Sequence, residues 1–185
     1  MFIQTETTPN PATLKFLPGR EVLDMGTADF PSRDAAAKSP LALRLFAVAG
    51  VEGVFLGHDF ITVTKAEAQN WDDMKPALLG AIMEHFQSGD AVLSGDRDAA
   101  HAEHTGEDEE IVNQIKDLLD TRVRPAVAQD GGDITFHGFD RGVVYLHMQG
   151  ACAGCPSSTL TLKMGIENLL RHYIPEVTEV RPVAI

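Results

Sequence analysis

The chain is poor in cysteine, with two in 185 residues, and in positive charge, with 15 Lys and Arg against 27 Asp and Glu. Aromatic residues stand at 6%, and tryptophan occurs once. Each shortage excludes a class of protein. Two cysteines cannot build the multi-bridge framework that holds small secreted domains together. A net charge of −12 repels phosphate backbones and argues against nucleic acid as the partner. No apolar run approaches the ~20 residues of a membrane helix, so no membrane partner is expected. The opening MFIQTETTPNP has neither the basic and apolar regions of a secretory signal nor the Arg-rich, acid-poor character of a mitochondrial leader. The expectation from these absences is a soluble cytoplasmic protein of bacterial type. What is present suffices for a packed core: 44% of residues are hydrophobic, and the length suits one large domain or two small ones.

Composition divides the chain. Residues 89–108, within SGDAVLSGDRDAAHAEHTGEDEE, are rich in acid, Gly and Ala and read as a flexible acidic linker whose charges favour extension. It separates an N-terminal domain at 1–88 from a C-terminal domain at 109–185. In the first, Phe2–Thr7 and Thr13–Leu17 read as strands around TPNP. Ser39 and Pro40 supply the N-cap and first position of a helix that Gly50 can stop. Val51–Leu56 and Phe60–Thr64 form a hairpin around GHD, and a helix over about Trp71–Phe86 closes the order β-β-α-β-β-α. In the second domain, Ile111, Ile115, Leu118 and Leu119 mark an amphipathic helix ending near Pro125. DGGD (Asp130–Asp133) is a turn in which both glycines can take positive φ. Ile134–Phe139 pairs with Val143–Gln149, Ser157–Tyr173 is helical, and Val177–Val180 is a short strand. The order is α-β-β-α-β, and the fold class is α+β.

Cys152 and Cys155 stand in GACAGCPSSTLTL, a spacing that two randomly placed cysteines would show only about once in a hundred. A reduced compartment makes a structural disulfide a poor reading. Pro156, Ser157 and Ser158 are residues of a helix start, where the macrodipole stabilises thiolate. A thioredoxin-like thiol–disulfide oxidoreductase uses that device, but the intervening pair here is Ala-Gly, no aromatic precedes Cys152, and the domain is short for that scaffold. A zinc-binding adaptor needs four N/S ligands, so His137 and His147 would have to join; His101 and His104 sit in the linker. Iron–sulfur clusters are held by four thiolates. A two-fold homodimer joined through the CxxC region supplies four from identical halves. The arithmetic favours a labile [4Fe–4S] cluster shared between subunits, although a [2Fe–2S] centre takes the same four ligands.

LDTRVRPAVAQDGGDITF and GVVYLHMQGACAGCPSSTLTLKMGIENLLRHYIPEV closely resemble the C-terminal domain of the NifU-like (Nfu) iron–sulfur cluster scaffold and carrier family. TPNPATLKFLPG and SPLALRLFAVAGVEGVFLGHDFITVTK resemble the N-terminal domain of Nfu proteins. The resemblance implies a homodimer or higher assembly that holds the cluster between CxxC pairs, with Cys152 and Cys155 as cofactor and metal ligands. It implies a carrier rather than an enzyme, loaded by an upstream cluster scaffold and delivering to apo clients of the lipoyl synthase or aconitase type. For residues 1–88 it leaves partner or client recognition as the expected role.

Overall fold

The computed structural model describes residues 2–94, 109–153 and 156–183, the side chains of 156–159 excepted. Most of the predicted linker, with His101 and His104, lies outside these residues, as does Cys155. The chain divides into two compact units, Met1–Arg97 and Asp98–Ile185.

The first unit is a five-stranded antiparallel sheet in the order β1-β2-β5-β4-β3 with two helices. Its strands are β1 (Gln4–Thr7), β2 (Thr13–Leu17), β3 (Ala28–Phe30), β4 (Val51–Leu56) and β5 (Ile61–Lys65). The helices α1 (Pro40–Phe46) and α2 (Trp71–Ser88) start where capping chemistry directs. Ser39 Oγ accepts from the Ala42 N–H at 3.1 Å, with Pro40 in the first turn. Asn70 Oδ1 accepts from the Asp72 N–H at 3.2 Å. Phe16, Leu41, Leu45, Ile61, Leu78 and Ile82 are fully buried between helices and sheet. Two features depart from expectation. β3 and the short 3-10 turn Ala35–Lys38 extend the order, because three residues carry no readable periodicity. α1 ends at Phe46, and Gly50, at φ +91°, turns the chain into β4 instead of stopping the helix.

The second unit packs helices against a three-stranded sheet, β6 (Gly132–Asp140), β7 (Val143–Gly150) and β8 (Glu179–Val183), with β6–β7 antiparallel and β7–β8 parallel. The α5 helix (Pro156–Tyr173) connects β7 to β8. The helix expected to end near Pro125 does not. α3 (Glu109–Leu118) passes through a π turn at Leu119–Val123 into α4 (Arg124–Gln129). The wider turn resets the hydrogen-bond ladder, so Pro125 falls at the start of α4, where its missing N–H is not needed. Val144, Leu146 and Met148 alternate onto the buried face of β7 and meet Ile115, Leu119, Val127, Ile166 and Leu170. Among the described residues no helix is long and apolar enough to cross a membrane.

Candidate metal centre

β7 ends at Gly150, whose φ of +61° turns the chain out of the sheet. Three main-chain bonds hold the turn that follows. The Ala151 N–H donates to the Gly131 carbonyl at 3.2 Å, the Cys152 N–H to Gln149 at 3.3 Å, and the Ala153 N–H to Gly150 at 3.1 Å. Cys152 is thereby drawn into the core of its unit and is only 5% exposed. α5 begins at Pro156, beyond Cys155 in the chain.

A thiolate-favouring helix start was expected at both sulfurs, and for Cys152 this is corrected. Burial first, then the carboxylates of Asp130 and Asp133, push its thiol up to about 12. Such a thiol stays protonated at neutral pH and is a poor nucleophile, the reverse of what a thiol–disulfide couple requires. A metal ligand differs, because the incoming cation displaces the proton.

The DGGD turn lies against Cys152, and its two glycines have separate reasons. Gly131 is at φ +80°, the left-handed region that glycine enters at least cost. Gly132 sits in β6 opposite Gly150, without positive φ. A Cβ placed on it would lie 2.5 Å from Cys152 Sγ, 2.8 Å from the Gln149 carbonyl oxygen and 2.9 Å from the Cys152 nitrogen. The sulfur occupies the space that a side chain would need. Sequence reasoning assigned both residues the same backbone role and missed this contact.

Asp133 is 3% exposed and is held by a bidentate pair. Arg124 Nε donates to its Oδ1 and Nη2 to its Oδ2, both at 2.9 Å, while Oδ1 also accepts from the Ile134 N–H at 2.8 Å. Arg124 Nη1 donates to Asp120 Oδ1 at 3.0 Å. The hydrogen bonds to Asp133 raise the guanidinium further above its ordinary value. The pair ties α4 to the strand start beside Cys152. Nothing local announces it, since its members are nine residues apart on different elements. An arginine and an aspartate within apolar surroundings were the available signal.

His137 is exposed where β6 is irregular, between the paired Phe136 and Gly138. His147 is half-buried on β7, its Nδ1 3.3 Å from Gln149 Nε2, and burial and then His137 lower its pKa. Among the described residues no three or more His, Cys, Asp or Glu gather as a metal ion would require.

Comparison with known proteins gives this geometry a context. Residues 3–89 match the family described as "Scaffold protein Nfu/NifU N terminal", and residues 115–181 match the NifU-like domain. The "NFU1 iron-sulfur cluster scaffold homolog, mitochondrial" of Drosophila willistoni is 55% identical over 184 residues, covering 99% of this chain and 64% of that protein. The homologue of Drosophila sechellia with the same description is 54% identical, with 99% and 65% covered. The chain thus spans slightly less than two thirds of the length of these relatives. The solution NMR structure of a NifU-like protein from Saccharomyces cerevisiae matches at 27% identity and a TM-score of 0.47, covering 52% of this chain and 87% of that one. The relatives' names overturn the expectation of a cytoplasmic protein. That expectation rested on a missing leader, and a chain shorter than its relatives carries no information on what precedes it. With both domain types in sequence, and this identity across 99% of its length, the chain belongs to the Nfu-type, NifU-like family of iron–sulfur cluster scaffold proteins.

Proposed function

We propose that the protein is a non-catalytic carrier that binds a [4Fe–4S] cluster between the Cys152 and Cys155 pairs of two subunits and transfers it to apo client enzymes. The observation that carries this reading is the cysteine count. The chain has two cysteines in total, three positions apart in sequence, and its relatives are named as iron–sulfur cluster scaffolds. Four-thiolate ligation then needs a second copy. Residues 109–185 would hold the cluster, 89–108 serve as an acidic linker, and 1–88 recognise partners or clients, with an upstream scaffold supplying the cluster. The naming of the relatives supports a mitochondrial setting.

Anaerobic reconstitution with iron and sulfide tests the reading. The expected product is brown, carries about four irons per dimer, shows a [4Fe–4S] Mössbauer spectrum, and restores activity to an apo-enzyme of the aconitase type. Cys152→Ser and Cys155→Ser should each abolish loading. Colourless protein retaining zinc and transferring nothing would replace this reading with the adaptor. Removal of residues 1–88 should lower transfer to some recipients, and unchanged transfer to all of them would refute the recognition role.

A further inference from the structure

Beyond its first turn, α5 presents three different sides. Ile166 and Leu170 are buried in the core, with Leu162 and Leu169 partly buried against it. Lys163 and Glu167 turn toward β8. Lys163 Nζ lies 3.8 Å from Glu179 Oε1, and Glu167 Oε2 accepts from the Val180 N–H at 3.2 Å. The third side consists of Leu160, Thr161, Met164, Gly165 and Asn168, all exposed, with Leu160 at 59% and Met164 at 58%. These positions recur at helical spacing and form one stripe, about 12 Å long at 1.5 Å per residue.

The stripe reverses the usual arrangement. An amphipathic helix sets its charges toward water and its apolar residues inward. Here Lys163 and Glu167 make contacts within the unit, and the outward face from Leu160 to Asn168 holds no charge, the exposed Arg171 and His172 following only in the last turn. Gly165 adds a second, independent observation. A Cβ on it would meet nothing within 4 Å, so its own unit does not require glycine there. Glycine inside a helix still costs about 0.5–1 kcal/mol relative to alanine. What a bare position beside an exposed Met and Leu offers is close approach of another surface.

The identity of that surface follows from the ligand count and so rests on the carrier reading. Two cysteines leave a four-thiolate cluster incomplete without a second copy, and α5 starts directly after Cys155. A two-fold axis through the shared cluster therefore brings the first turns of α5 from two copies together. A neutral stripe also suits the approach of two chains that each carry a charge of −12. We propose that the Leu160–Asn168 stripe of α5 is the surface on which two copies pack across the shared cluster, with Leu160 and Met164 as its apolar contacts and Gly165 as the point of closest approach.

The test uses the full chain loaded anaerobically with iron and sulfide, its mass read by native mass spectrometry and sedimentation. The double variant Leu160→Glu with Met164→Glu should keep the circular dichroism and unfolding temperature of the apo wild type. When loaded it should associate at least tenfold more weakly and lose iron in parallel. Gly165→Ala should raise the unfolding temperature of the apo chain and yet weaken the loaded dimer, a split that a purely structural glycine would not produce. Variants that pair and load like wild type would overturn the proposal. So would variants that pair and load normally but transfer poorly to an apo recipient, since the stripe would then belong to the recipient. A wild-type chain that takes up no cluster would instead refute the carrier reading, and the stripe proposal with it.

Discussion

Replacing Gly132 with alanine adds one methyl group where Cys152 Sγ already sits. The added carbon would lie 2.5 Å from the sulfur, and its next two neighbours, at 2.8 and 2.9 Å, are main-chain atoms of Gln149 and Cys152. Main chain cannot swing aside as a long side chain does, so the turn carrying Cys152 must move. At a position without positive φ, Gly→Ala normally stabilises by about 0.4–1 kcal/mol through the unfolded state. Overpacking costs about 1–3 kcal/mol, so the net sign reverses. For a unit of this size, a loss of about 1–2 kcal/mol lowers the unfolding temperature by roughly 5–15 °C. Gly138→Ala is the matched control on the same strand, since a Cβ there meets nothing within 4 Å. Calorimetry of both variants, with iron content after anaerobic loading, reads the effect. Gly132→Ala should unfold earlier and hold less iron, whereas Gly138→Ala should unfold at or a few degrees above the wild-type temperature and hold the same iron. Equal unfolding temperatures and equal iron in the two variants would refute the claim that Gly132 makes room for Cys152.

Other substitutions probe the remaining physics. Arg124→Met strips the bidentate partner from Asp133 and should cost about 3 kcal/mol in denaturant unfolding. Arg124→Lys should recover less than half of that, because an ammonium cannot reproduce the fork; full recovery by lysine would remove the case for bidentate geometry. Asp29, half-buried on β3, is raised from near 3.8 to about 6 by burial. The folded state thus holds its proton more tightly, and the stability it contributes is present below pH 4 and lost as pH rises through 6. Asp29→Asn should therefore raise the unfolding temperature at pH 8 and gain little at pH 4, and a pH-independent gain would disprove the assignment. His85 is fully buried, with neither ring nitrogen hydrogen-bonded, and burial first, then Arg44, lower its pKa. It resists protonation when folded but not when unfolded, so stability falls as pH drops below about 6.5. His85→Leu should stabilise by about 1–3 kcal/mol at pH 7 and by more at pH 5, and an equal gain at the two pH values would count against it.

Features written in local chemistry were the ones legible in the sequence. Ser39 and Pro40 marked the start of α1 because a cap and a first-turn proline act within a few residues. The hairpin β4–β5 was legible from alternation, and α5 from the apolar periodicity of Leu162, Ile166, Leu169 and Leu170. β3 was not, since Ala28–Phe30 is too short to show a period and exists through its pairing with β4. Pro125 misled because the standard rule ends a helix there, whereas a π turn upstream moves the proline to a first-turn position. The CxxC spacing pointed to a metal site without describing its surroundings. Those are set from a distance, by Gly132 beneath the sulfur and by Arg124 clamped to Asp133.

The burial that raises the Cys152 thiol also bears on the carrier reading. In the absence of iron, desolvation and the carboxylates of Asp130 and Asp133 penalise the bare thiolate. An iron cation brings the positive charge that the pocket lacks, and in a poorly solvated pocket that attraction is screened less than in water. On the carrier reading, burial protects the apo sulfur from adventitious oxidation, since thiolate character and exposure govern that chemistry. It also couples cluster uptake to proton release. Helix-start activation, which the motif alone implied, would have left Cys152 reactive in the apo chain and better suited to exchanging disulfides than to waiting for iron.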